Sequence, residues 1–292
     1  MRFKYPLRWR KTLYLIFFLI AGAVYANLTN PYSKLGTTGS VYDFSLDSTG
    51  QLVLIENKKP SFIELPAYLD YISLQSFQAF FRILADSWFY VEEPFTGNTE
   101  EIITQIHRKR FDTTKPYVIS GHHFSEMYTR NLGIFYNAAL DPRFALSEED
   151  WGNRQKTIIS TLALHLAILK QANREYTTLY PVWDNIYSGV NVYAEPSDTL
   201  FSILYTLHAM TDSDFIASLF PTEINSQARI LQTKRIGKKL IDEYGLLLQD
   251  KVNHYLERII DPKTGLIREN ILLSGARDQI KRNSSFYDNV IA

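Results

Sequence analysis

The chain has no cysteine among its 292 residues. That absence excludes disulfides, a thiol nucleophile and thiolate metal sites. A domain exported without disulfides has to rely on the size of its core, and 46% apolar residues in a chain this long supply one. The G-x-S-x-G elbow, the Walker loop and the dinucleotide glycine fingerprint are also missing. Their absence gives no support to a serine-hydrolase sheet, a nucleotide cradle or a dinucleotide-binding domain. Net charge is absent too: 31 basic residues face 31 acidic ones. The balance is uneven, because Arg2, Lys4, Arg8, Arg10 and Lys11 crowd the first eleven positions. Beyond them 26 basic residues face 31 acidic ones, so the body sits near −5. Such a body lacks the clustered basic footprint that nucleic acid requires. Its densest basic run, Lys234 to Lys239, reads as a solvated helix face.

Charge is missing altogether from Thr12 to Ser33. The strongly apolar part, Leu13 to Ala26, is short for a full membrane span and suits the apolar region of a secretory signal. Val24-Tyr25-Ala26 resembles a small-residue cleavage site. Left uncleaved, the segment would serve as an anchor if tilted. The basic flank places the N-terminus in the cytoplasm in either case. Residues 1–33 are therefore expected to be a signal peptide or an N-terminal anchor, with an extracytoplasmic body.

Residues 34–66 read as a short β region. SVYDFSLD and QLVLIEN alternate apolar and polar residues on either side of Ser48-Thr49-Gly50, a turn signal, and SFIELP offers a third strand. From residue 67 to 292 the period becomes helical. Tyr68–Phe89 and Phe124–Leu140 carry apolar residues at spacings of three and four. Asn98-Thr99-Glu100-Glu101 caps another helix. Ser147-x-x-Asp150 opens a long one through Ala172, lined by Ile158, Ile159, Leu162, Leu166 and Leu169. Further helices are expected from Ser197 to Met210, from Phe215 to Phe220 and near Ser284. Glu223–Ile260 reads as a long run broken near Gly237 or Gly245, and Asp261 to Gly265 reads as a turn. About eight helices in hairpins make the fold class mainly α.

Four stretches mix rings with carboxylates and amides between these helices: Pro116–Asn131, Thr177–Asn185, Asn191–Asp198 and Gly265–Asn289. Sugar sites need that mixture, since rings cover the apolar faces of a pyranose while carboxylates and amides bind its hydroxyls. Glycosidic cleavage then asks for two carboxyl groups flanking one bond. Each acid also has a plainer reading. Asp184 fits a turn or a helix cap, and Asp198 and Glu126 fit the positive end of a helix. Glu195 precedes a proline and is held extended. Arg277 and Asp288 sit in polar clusters that suit either hydroxyl binding or capping. The adjacent pair His122-His123 has no ligand partner at metal spacing, so neither metal nor cofactor is expected. His165, His208 and His254 read as packing or surface residues within helices.

SGHHFSEMY resembles the first signature of trehalase-type glycosidases, P-G-G-R-F-x-E-x-Y, through Gly121, Phe124, Glu126 and Tyr128. Arg130 and Asn131 stand where that family has Trp-Asp. VWDN is similar to its second signature, G-W-D-x-S, and EPSDTLFSILY to the P-V-D-L-N-A-L-L-Y that follows. The resemblance implies the six-hairpin superfamily, an (α/α)6 toroid whose site lies in a central funnel. It carries the general acid role to Asp184 and places Glu126, Arg130, Asn131, Trp183 and Asp198 in the substrate site; Glu195 as a second catalytic candidate, and Tyr193, Arg277 and Asp288 as substrate-site candidates, rest on the polar and aromatic make-up of their own stretches. Eight helices fall short of twelve, so either the chain is truncated or the toroid is incomplete; the resemblance implies a second catalytic carboxylate late in the chain, and Glu195 or a residue beyond Ala292 are the alternatives for it. The functional expectation is an exported, inverting glycoside hydrolase with carbohydrate as its partner. The alternative is a non-catalytic helical domain that binds a glycan or an envelope partner.

Overall fold

The computed structural model describes residues 6–29, 41–64, 80–81, 94–111, 117–118, 127–133, 148–191, 197–212 and 226–268. Over these the chain is mainly helical, with two small sheets. Helix α1 spans Pro6–Thr29 and is followed by strands β1 (Tyr42–Leu46), β2 (Leu52–Glu56) and β3 (Ser61–Phe62). Next come α2 (Thr99–Arg110), β4 (Met127–Tyr128), α3 (Glu148–Ala172), β5 (Thr178–Trp183), β6 (Ile186–Val190), α4 (Ser197–Thr211) and α5 (Ser226–Ile259).

The β1–β2 hairpin forms where the alternation places it, in antiparallel register from Tyr42 opposite Glu56 to Leu46 opposite Leu52. Its turn is built by Asp47. That carboxylate accepts from the Thr49 hydroxyl at 2.7 Å and from the Thr49 and Gln51 amides at 2.9 Å. The Thr49 hydroxyl bond is the largest cause of a pKa below the usual carboxylate range. Gly50 takes the left-handed conformation the turn needs, with φ +76°. The cap expected on α2 is also present. Asn98 accepts from the Glu101 amide at 3.0 Å and the Glu101 carboxylate accepts from the Asn98 amide at 2.8 Å.

Helix α3 is the centre of the molecule. From Thr157 to Leu169 every residue is buried, on all sides of the helix. Hairpin β1–β2, strand β3 and helix α5 pack around it, and α4 lies against α5. The apolar side chains of these elements form one cluster that includes Val41 and Tyr42, so the β region of 34–66 shares its core with the helices. Burial on all sides obliges the helix's polar residues to find partners. Thr157, Ser160 and Thr161 donate back to carbonyls one turn earlier, and Thr161 also accepts from the Val118 amide. Asn173, with φ +51°, ends the helix in the left-handed conformation common at helix C-termini. Its carbonyl accepts from Lys251 of α5 at 2.9 Å, which sets a buried ammonium at the negative end of α3.

Three expectations change. Met127–Tyr128, expected to be helical, is strand β4, and helix begins only at Arg130. The segment Thr177–Asn185, expected to be a polar loop, is strand β5 and the start of its hairpin with β6. Together these build the four-stranded sheet β3-β6-β5-β4. Pro181 sits at the irregularity between Pro181 and Trp183, where a strand tolerates a missing donor. Finally, α5 runs unbroken for 34 residues through both glycines.

The two glycines persist for different reasons. A Cβ at Gly237 would lie 2.9 Å from Thr211 Cγ2 and 3.0 Å from Met210 Cβ, so this glycine is the notch that lets α4 cross. At Gly245 the nearest atom would be Ile241 Cγ2 at 3.7 Å, an ordinary contact. Gly245→Ala is expected to stabilise the protein by roughly 0.5–1 kcal/mol through helix propensity. Gly237→Ala is expected to destabilise it by about 1 kcal/mol, because the crowding costs more than the propensity gain. Paired denaturant titrations check the opposite signs.

The expected helices Tyr68–Phe89 (Phe80 and Phe81 apart), Phe215–Phe220 and the one near Ser284 lie outside the described residues.

Candidate functional site

The turn between β5 and β6 is formed by Asp184 and Asn185. Asp184 has φ +34°, a left-handed conformation that aspartate tolerates better than most residues. Both its carboxylate oxygens accept from Lys58 Nζ, at 2.7 and 2.8 Å, and both side chains are partly exposed. Asn185 donates to the Lys59 carbonyl at 2.6 Å, and its own carbonyl accepts from the Ser61 amide at 2.9 Å. The turn thus clasps the link between β2 and β3. An exposed pair of this kind contributes about 1 kcal/mol or less.

Arg130 and Asn131 lie at the other end of β5. Strand β4 pairs Tyr128 with Thr178, so the residues after it flank the start of β5 while Asp184 follows its end. That length of strand is about 16 Å. Arg130 is half-buried, its guanidinium 5.3 Å from the centre of the Tyr128 ring, and Asn131 is buried. The stretch 130–133 packs on α4. The Arg130 carbonyl accepts from Ser202 Oγ at 3.4 Å, and a Cβ at Gly133 would lie 3.0 Å from that same oxygen. Asp198 is one helical turn before Ser202, in the first turn of α4 as expected, and is buried. Arg130, Asn131 and Asp198 are therefore brought toward one helix end, and Asp184 is not. Trp183 closes β5. Glu126, Tyr193, Glu195, Arg277 and Asp288 lie outside the described residues.

A groove of about 610 Å³ opens elsewhere, between the β1–β2 hairpin, the first half of α3 and the first half of α5. Phe44, Leu46 and Leu52 form its hairpin wall. Glu149, Gly152, Asn153, Gln155, Lys156 and Ile159 line it from α3, and Gln232, Thr233 and Ile236 from α5. The volume falls within the usual range for small-ligand sites. Among the described residues, the lining has one aromatic ring and three amide side chains, with a single carboxylate. Lys156 Nζ lies 6.0 Å from the centre of the Phe44 ring, and Gln155 donates to Thr233 Oγ1 across the floor. None of the residues expected to bind substrate lines this groove. Its parts lie far apart in sequence, and no local spacing marks them. The only local signal was the alternation that puts Phe44 and Leu46 on one face of β1.

Among the described residues, no three carboxylate or imidazole groups converge on a cation site, and no helix is long and apolar enough to cross a membrane. No protein-family model, curated protein or solved structure matches the chain.

Proposed function

We propose that the protein is a non-catalytic, glycan-binding helical domain outside the cytoplasm, held near a membrane by α1. The observation that carries this reading is the lining of the groove. The ring of Phe44 offers a face for a pyranose, while Asn153, Gln155 and Gln232 offer donors and acceptors for hydroxyls. Among the described lining residues Glu149 is the one carboxylate, and two-carboxylate cleavage needs a second one facing it. The finer architecture we propose is the toroid-like stacking of helical hairpins, with α3, α4 and α5 as members.

Glycoside hydrolysis is the second reading, and the VWDN and SGHHFSEMY resemblances favour it. It requires Asp184 to leave Lys58 and to donate a proton, which a carboxylate accepting through both oxygens does not do.

Isothermal titration with an oligosaccharide panel, run beside a sugar-release assay, tests both. The expected result is binding without turnover, with Phe44→Ala weakening affinity about tenfold, the equivalent of 1.4 kcal/mol. Sugar release abolished by Asp184→Asn would establish the hydrolase instead. A panel that gives neither heat nor product refutes both.

A further inference from the structure

Helix α1 is exposed and apolar on every side along most of its length. Trp9, Tyr14 and Phe17 are about 70% exposed, and Leu13, Leu15, Ile16, Phe18 and Ile20 are exposed as well. A helix that is apolar all round is stable only when covered. Arg10 and Lys11 stand at one end of this surface, as anionic headgroups would require. At the other end the body takes hold of the helix. Gly22 and Ala23 are buried, and a Cβ at Gly22 would collide with the Phe81 ring. Phe18 meets that ring edge-on, with centroids 5.6 Å apart. Phe80 stacks edge-on against Phe81 at 5.1 Å and is itself 55% exposed.

We infer that Phe80 is a membrane-contacting residue of the body, seated in the acyl region beside α1. This rests on the reading of α1 as a membrane segment, and the depth follows from helix geometry. Lys11 and Gly22 are about 16 Å apart along the axis at 1.5 Å per residue. With Lys11 at the headgroups, Gly22 and the ring packed on it lie well inside a hydrocarbon core of roughly 30 Å. At the tilts usual for membrane helices, up to about 40°, they become shallower by only about 4 Å.

The absence of native cysteine allows the test on the full chain. Leu15→Cys, Phe80→Cys and Leu246→Cys are each labelled with an environment-sensitive nitrobenzoxadiazole dye and incorporated into phosphatidylglycerol–phosphatidylethanolamine vesicles. Leu246, 92% exposed on α5, is the aqueous reference. The expected result is a blue-shifted emission at 15 and 80, with quenching by spin-labelled acyl chains at least twofold stronger than at 246. A shifted label at 15 with one at 80 that behaves like 246 overturns the inference and leaves the membrane reading standing. Unshifted labels at both 15 and 80 overturn the two together. A shift at 80 that needs no vesicles and grows with protein concentration assigns the surface to a second copy of the chain, and also overturns the inference.

Discussion

Leu162→Ala and Leu164→Ala are each expected to destabilise the protein by about 2–5 kcal/mol, although their side chains leave α3 in nearly opposite directions. Leu162 is completely buried and Leu164 is 1% exposed. On a helix lying at the edge of a core, one of two such positions faces water, and shortening it costs a few tenths of a kcal/mol. Here each truncation leaves a cavity among packed neighbours, and the lost transfer energy adds to the lost contacts. Urea titration of the two variants measures both effects. A change under 1 kcal/mol at either site contradicts the burial of α3 on all sides.

Leu164 also marks what the sequence could and could not reveal. The spacing of Ile158, Ile159, Leu162, Leu166 and Leu169 predicts both the helix and one buried face. It does not predict the opposite face, where Thr161, Ala163, Leu164, Thr157 and Ile168 share the burial. Hydroxyl residues there read as a solvated side, and only the structure reveals that their hydroxyls are bonded back to the helix's own carbonyls. Short-range signals were dependable. The Asp47–Gly50 turn, the Asn98–Glu101 box and the start of α4 all lie where local chemistry puts them. Strand β5 was hidden by Pro181, which argues against a strand unless the backbone is irregular there. Gly237 looked like a break because the reason for it, the crossing of α4, is a tertiary contact. The groove was illegible for the same reason, since it joins residues 44–52 to 149–159 and 232–236. Asp184 was legible as a turn residue, and that plainer reading accounts for its position and its bond to Lys58. Asp198 was likewise legible as a first-turn acid, though its burial was not.

His165 carries the other large expected effect, a dependence of stability on acid. Burial alone holds its pKa down to about 3, against an ordinary value near 6.5. The surroundings also fix the tautomer. Thr129 Oγ1 donates to the Tyr176 carbonyl at 2.7 Å, so its oxygen is left to accept from His165 Nδ1 at 3.3 Å. Nδ1 therefore carries the proton of the neutral ring, and Nε2 is buried with no hydrogen-bond partner among the described residues. A second proton on Nε2 would be a buried, unpaired charge. Between pH 6.5 and 3 the unfolded chain binds that proton and the folded one does not. Stability is thus complete above about pH 6.5 and falls as the pH drops through this window, by up to roughly 1.4 kcal/mol per unit. At pH 4.5 the loss attributable to this ring reaches about 2.7 kcal/mol, while the hydrogen-bonded carboxylate of Asp47 acts only further into acid. His165→Met replaces the ring with a flexible apolar side chain that does not titrate. The substitution also changes packing at every pH, so the measured quantity is the slope. The wild-type curve is expected to fall more steeply than the variant's between pH 6.5 and 4.5. Parallel curves over that window would mean that the ring reaches solvent or a partner that takes up its charge.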